Sequence, residues 1–201
     1  MDKKRIAVFI SGRGSNFMSI HESVVNGSIN GEIAAVISDN PEARGLEYAS
    51  KNGLPINVFP WEPPRSRYFQ GIMGFLEKKQ IDLIVLAGFM RVLSPNIVRR
   101  YKHRILNIHP ALLPSFPGEE AQKKAFEYGV KYSGCTVHFV DEGVDTGPII
   151  QQRVVPVRED DDAARLSERI LAQEHRLFPE VVGLFCNDAL KVIGRRVHIQ
   201  T

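Results

Sequence analysis

The chain has 201 residues, 43% of them hydrophobic and 24% charged, with a formal net charge of +3 at pH 7. A chain of that size suits one domain, or one with a short appendage, and buries enough surface to fold without disulfide or metal staples. So small and scattered a basic excess argues against a nucleic-acid partner, and no run approaches the ~20 apolar residues of a membrane span. Behind the basic Met1–Arg5 the apolar stretch covers only Ile6–Ile10, too short for a secretory signal, so a cytoplasmic location is expected. Cys135 and Cys186 form no CxxC pair and have no histidine at metal spacing, which points to two buried free thiols.

In chain order, Ile6–Ile10 is continuously apolar, as in a strand buried on both faces. Gly12, Gly14, Ser15 and Asn16 interrupt it, and Phe17, Ile20, Val24 and Val25 follow at helical spacing. Ala34–Ile37 predicts a second strand, Leu46–Asn52 a helix closed by Gly53, and Ile56–Phe59 a third strand. Tyr68–Lys79 predicts a helix with Ile72, Phe75 and Leu76 on one side, and Leu83–Ala87 a strand. Ser94 and Pro95 open a helix as N-cap and first-turn proline, and Ile105–His109 is a strand. Such alternation predicts an α/β fold, a mostly parallel twisted sheet with helices on both faces. After Pro110 the pattern becomes mixed. Leu112–Gly118 is a proline-containing loop and Ala121–Tyr128 a helix closed by Gly129. Thr136–Val140 and Ile149–Val157 alternate like antiparallel strands, Leu166–Phe185 is a long amphipathic helix, and Leu190–Ile193 with Arg196–Ile199 can form a hairpin around Gly194. The expectation is one domain over 1–201, with an α/β half at 1–110 and a mixed half at 111–201.

Three segments carry chemistry. Ser11-Gly12-Arg13-Gly14-Ser15-Asn16 lies between a strand and a helix, where exposed N–H groups and the helix dipole suit a phosphate. A tight turn with an N-cap is the alternative; Phe17 stands where a dinucleotide fingerprint wants glycine, and the P-loop lysine is absent. In Asn107-Ile108-His109-Pro110 the amide and imidazole lie two apart and so share one face, an oxyanion donor beside a proton carrier. The bland reading is a histidine satisfied at a strand end. The acidic loop Asp141-Glu142-Gly143-Val144-Asp145 matches no EF-hand spacing; a carboxylate from it near His109 would raise the imidazole pKa, and a solvated turn is the alternative. His138, close to that loop, is ambiguous alone. The apolar residues after Leu86, through Met90 and Leu93, can wall a pocket for a flat ring or simply pack into the core.

Taken together, the segments SGRGSN, LAGFMRVLSP, LNIHPALLPSFPG, VHFVDEGVDTGPI and QEHRLFP resemble, in order and over Ile6 to about Pro179, the phosphoribosylglycinamide formyltransferases within the wider formyltetrahydrofolate-dependent transferases. The resemblance implies a Rossmann-like formyltransferase fold and transfer of a formyl group from 10-formyltetrahydrofolate, a co-substrate, to the amine of glycinamide ribonucleotide in purine biosynthesis. By position, Asn107, His109 and Asp145 match the family's catalytic residues and His138 a supporting one. Gly14, Ser15, Asn16 and Glu174 match glycinamide ribonucleotide contacts. Arg65 (or Arg67 beside it), Met90, Arg91, Val92, Leu93, Asn107, Asp141, Glu142, Gly143 and Val144 match folate contacts. No metal is implied, and the partners are small molecules, with a monomer or homodimer compatible. The family commonly has a leucine and a histidine after Phe-Pro-Gly, in a mobile loop that closes near the active site. Glu119-Glu120 here adds negative charge that bears on the loop's closing contacts, not on the central three residues.

A formyltetrahydrofolate hydrolase is the nearest rival, but such relatives usually carry an added N-terminal domain, for which a first strand beginning at about Arg5 is expected to leave no room. Sugar-amine formyltransferases share the catalytic trio but usually bind nucleotide sugars. A non-catalytic ligand sensor on the same fold is the rival from another class.

Overall fold

The computed structural model describes residues 3–200; Met1, Asp2 and Thr201 lie outside the described residues. Seven strands form one sheet, β1 (Lys4–Ile10), β2 (Gly31–Ser38), β3 (Ile56–Val58), β4 (Leu83–Leu86), β5 (Ile105–His109), β6 (Tyr132–Phe139) and β7 (Ile149–Pro156), in the order β3-β2-β1-β4-β5-β6-β7. The first five are parallel; β6 runs antiparallel to β5, and β7 antiparallel to β6. The helices are α1 (Ser15–Val25), α2 (Arg44–Lys51), α3 (Arg65–Lys78), α4 (Pro95–Arg100), α5 (Ala121–Tyr128) and α6 (Ala163–Cys186). A separate hairpin, β8 (Leu190–Ile193) and β9 (Arg196–Ile199), ends the described chain.

Strand period explains why β1 reads as an unbroken apolar run. Ile6, Val8 and Ile10 point into one core with Phe17 and Ile20 of α1 and Leu177, Phe178 and Val181 of α6. Ala7 and Phe9 point into a second core with Phe69, Ile72 and Leu76 of α3 and Ile97 of α4. Successive side chains alternate, so a strand covered on both faces needs apolar residues at every position. Ser94 caps α4 as its position predicts, its hydroxyl accepting from the Ile97 amide.

Two readings from pattern differ from the structure. Val25 is 72% exposed, because one residue beyond Val24 the helix has turned it off the core face. β6 begins at Tyr132, earlier than the alternation at Thr136 suggested, because Ser133 and Gly134 pair with Val155 and Val154 of β7. Tertiary pairing recruits residues that have no strand signature of their own.

The strand order locates the site. From β1 the chain winds outward through β2 and β3, returns to β4 on the other side of β1, and winds the opposite way through β5. The loops leaving the carboxyl ends of β1 and β4 therefore diverge and open a crevice between them.

Gly134 is fixed by close approach: a Cβ there would lie 1.9 Å from the Arg153 carbonyl oxygen and 2.9 Å from Leu112 Cδ2. Gly134→Ala is expected to push β6 from β7 and cost at least ~1–3 kcal/mol. Urea unfolding checks this, as a lowered midpoint with an unchanged slope.

Candidate active site

A cleft of about 980 Å³ opens at that switch point. The turn after β1 supplies Gly12 to Asn16, the segment after β4 supplies Ala87 to Leu93, β5 supplies Asn107 and His109, β6 supplies His138, and the loop to β7 supplies Asp141 to Asp145. Gly118 to Glu120 and, from α6, Glu174 complete the lining.

Sheet register brings the polar centre together. Asn107 and His109 lie two apart on β5 and share a face. In the antiparallel β5·β6 pair Asn107 stands opposite His138, and its Nδ2 lies 3.2 Å from His138 Nε2. The β6·β7 register shifts between Val137 and His138, an irregularity of the kind that re-aims side chains beside functional sites. The loop after β6 then returns Asp145, at φ 55, to the same place. Its Oδ2 lies 3.2 Å from His109 Nδ1 and accepts from the Gly118 amide at 2.8 Å; its Oδ1 accepts from Asn107 Nδ2 at 3.4 Å and lies 3.6 Å from His138 Nε2. A carboxamide, two imidazoles and a carboxylate from two stretches of chain thus converge.

The electrostatics follow from burial. Burial alone would raise the Asp145 pKa, but the His138 ring, the Gly118 amide and the His109 ring together pull it down to about 2. Asp145 is ionised at neutral pH. For His109 burial is the strongest influence and draws the pKa below its ordinary value, against the Asp145 charge and the Phe116 carbonyl, which both raise it. The expectation that Asp145 would lift His109 above the ordinary imidazole range therefore does not hold: desolvation outweighs the carboxylate. The charged form is nonetheless well provided for. His109 Nε2 lies 2.8 Å from the Phe116 carbonyl oxygen while Nδ1 faces Asp145, so an imidazolium satisfies both nitrogens where a neutral ring satisfies one.

At the turn after β1, Gly14 adopts φ 72, and a Cβ there would stand 3.1 Å from the Gly45 Cα. No side chain caps the N-terminus of α1, so its first-turn N–H groups stay available to a ligand. Asn16 Nδ2 donates to Glu174 Oε2 at 2.7 Å. Glu174 is buried, and burial pushes its carboxyl pKa up against the Asn16 amide.

Of the residues singled out in the sequence, Arg65 stands apart. It is absent from the cleft lining; its Nη2 donates to the Val92 carbonyl at 2.8 Å and the Leu93 carbonyl at 3.4 Å, which ties it to the wall. Arg91 lines the cleft, but its Nε donates to Asp39 at 2.7 Å and its guanidinium lies 4.9 Å over the Trp61 ring. Sequence reasoning missed Asp39, whose other oxygen accepts from Ser11 Oγ at 2.6 Å while Ser11 Oγ accepts from the Met90 amide at 3.0 Å. This carboxylate ties the two walls of the cleft together; its only sequence signal was its place at the end of β2. Arg13, part of the glycine-rich segment but given no role of its own in the sequence, also lines the cleft. Phe116 and Gly118 act through backbone atoms and leave no side-chain signature.

Among the described residues no group of histidine, cysteine, aspartate and glutamate side chains is arranged to hold a metal ion, and no helix is long and apolar enough to cross a membrane. Cys135 and Cys186 are both free and buried.

Comparison with known proteins gives a consistent picture. The profile of the family described as formyl transferase matches residues 4–182. The chain is 41% identical over 197 residues to the chloroplastic phosphoribosylglycinamide formyltransferase of Arabidopsis thaliana, covering 94% of this chain and 68% of that protein. It is 46% identical over 189 residues to the trifunctional purine biosynthetic protein adenosine-3 of Drosophila melanogaster, covering 92% of this chain but only 14% of that protein. The crystal structure of glycinamide ribonucleotide transformylase 1 from Symbiobacterium toebii superposes with a TM-score of 0.96 at 46% identity, over 100% of this chain and 95% of that one.

Asp145→Asn removes a negative charge that raises the His109 pKa, so that pKa is expected to fall further, and an NMR titration of His109 reads it directly. An unmoved titration would break the electrostatic link. Because the Asp145 pKa is depressed in the folded state, its stabilising contribution is full above the ordinary value of 3.8 and lost as pH falls towards about 2. At ~1.4 kcal/mol per pKa unit it amounts to ~2 kcal/mol. Acid unfolding of Asp145→Asn should therefore be flatter across that window.

Proposed function

The chain belongs to the formyl transferase family, and on that footing we propose that it transfers the formyl group of 10-formyltetrahydrofolate to the amine of glycinamide ribonucleotide. The products are formylglycinamide ribonucleotide and tetrahydrofolate, and the reaction serves purine biosynthesis. The observation that carries this reading is the placement of Asn107, His109 and Asp145 between a glycine-rich turn at a helix N-terminus and an apolar wall, all in one cleft. The cleft thus has a place for an anion, a place for a flat ring, and acyl-transfer chemistry between them.

In this reading Gly14, Ser15 and Asn16 bind the sugar phosphate at the start of α1, and Glu174 with Asn16 holds the glycinamide end. The wall from Met90 to Leu93, with Asp141 to Val144 opposite, binds the folate, and Arg65 (or Arg67 beside it) contributes from the helix hydrogen-bonded to that wall. Residues 1–110 supply the phosphate side and 111–201 complete the folate and catalytic side of a single domain.

The amine attacks the formyl carbon and a tetrahedral oxyanion forms. Asn107 Nδ2, held loosely by Asp145 at 3.4 Å, donates to that oxygen. His109, with a lowered pKa, takes up the proton released by the amine and becomes an imidazolium facing Asp145 and the Phe116 carbonyl. It returns the proton to the leaving folate nitrogen as the intermediate collapses. His138 stabilises the arrangement: its Nδ1 donates to the Phe139 carbonyl at 2.9 Å, and its Nε2 lies between Asn107 Nδ2 at 3.2 Å and Asp145 Oδ1 at 3.6 Å. Holding the two substrates together supplies on the order of 7–11 kcal/mol. No metal is called on. The partners are small molecules, in a cytoplasmic monomer or homodimer without nucleic-acid or membrane contacts.

Mixing the protein with 10-formyltetrahydrofolate, with and without glycinamide ribonucleotide, and following folate absorbance tests the reading. Release that depends on the amine supports it. Amine-independent release means a hydrolase, and no release means a non-catalytic binder. His109→Ala should lose roughly 10²–10⁴-fold in kcat while keeping its affinity for glycinamide ribonucleotide; near-normal turnover would remove His109 from the mechanism.

A further inference from the structure

The register that sets Asn107 against His138 creates a second row beside it. His109 of β5 stands opposite Thr136 of β6, and Thr136 opposite Gln152 of β7. The Thr136 side chain is fully buried. Its hydroxyl donates to the Ala111 carbonyl at 2.7 Å and accepts from the Leu113 amide at 3.0 Å and from Gln152 Nε2 at 2.9 Å, which is the whole capacity of a hydroxyl. Gln152 Nε2 also donates to the Leu113 carbonyl at 2.9 Å, so one side-chain amide spends both its hydrogens on this junction.

The strapped segment, Ala111 to Leu113, leads directly into the loop that supplies the Phe116 carbonyl to His109 and the Gly118 amide to Asp145. Leu112 is seated too, against Gly134, with no room for a Cβ between them. Gln152 is absent from the cleft lining and lies exposed on an edge strand, so its two bonds belong to the junction and not to the cleft.

We propose that Gln152 is a positioning residue for formyl transfer. It fixes the loop after β5 to the β6–β7 edge of the sheet, and through that loop sets the backbone oxygen that meets His109 and the backbone amide that meets Asp145. The proposal rests on the assignment of His109 as proton carrier. Its chemistry is that of aim: errors of an ångström in a catalytic hydrogen bond reduce rate without weakening substrate binding to the same degree. Without the strap the Phe116 carbonyl drifts from the imidazole, and because that carbonyl raises the His109 pKa, its loss lowers it.

Two variants separate the donor from its volume. Gln152→Leu keeps the bulk and removes the amide; Gln152→Glu keeps the shape and replaces both donors with acceptors. Each is expected to lower kcat by roughly ten-fold, leave both KM values within about two-fold, and shift the His109 NMR titration to lower pH, with the wild-type Tm retained. An unmoved His109 pKa in both variants overturns the proposal, as does a fall in kcat that appears only with a loss of Tm. The titration needs no turnover: a wild-type protein without formyl transfer would sink the functional reading, while the His109 shift would still decide the role of Gln152.

Discussion

Asp145 carries a negative charge where burial by itself would neutralise it, and the rest of the site is organised around keeping that charge in place. Two histidine rings, a carboxamide and a backbone amide from β5, β6 and the loop after β5 surround one carboxylate. Removing a carboxylate from water costs several kcal/mol unless such partners are preformed. An antiparallel register preforms the side-chain partners: with Asn107 opposite His138 and His109 opposite Thr136, the amide and both rings lie on one face, and the loops add the Gly118 amide and the carboxylate itself. The same charge is what a transient imidazolium needs beside it.

The larger architecture serves this centre by dividing the labour. The parallel strands end in two diverging loops, one a glycine-rich turn at a helix N-terminus and one largely apolar, and β6 and β7 then add the polar row antiparallel to them. Asp39 holds the two diverging loops to each other through Ser11 and Arg91. A buried carboxylate bridging the walls makes the width of the cleft a property of the core rather than of flexible surface segments.

Much of this was legible in the sequence. Unbroken apolar runs such as Ile6–Ile10, the Ser94–Pro95 start of α4 and the hairpin around Gly194 are local signals, and local physics sets them. Asn107 and His109 could be placed on one face from spacing alone. Their union with Asp145 could not, since it depends on a loop returning across the sheet, and only the resemblance supplied it. The rest was hidden for specific reasons. Ser133 and Gly134 become strand only because β7 is there to pair with. Arg65 donates to two backbone carbonyls of the wall, a pairing that its side chain does not announce in the sequence. The His109 pKa turns on burial, which depends on every neighbour, whereas the single attractive charge of Asp145 is easy to see and easy to overweight. Gln152 and Phe116 act through backbone partners that no motif records.

On the proposed mechanism, the contact between His109 Nε2 and the Phe116 carbonyl bears on when the imidazole acts. A neutral ring that donates its Nδ1–H to Asp145 turns a lone pair towards that carbonyl oxygen 2.8 Å away, and neither atom has a proton to share. A proton arriving on Nε2 relieves this opposition and completes two hydrogen bonds at once. The gain then falls at the moment the amine gives up its proton rather than on the bound substrate, the form of selectivity that raises turnover rather than affinity.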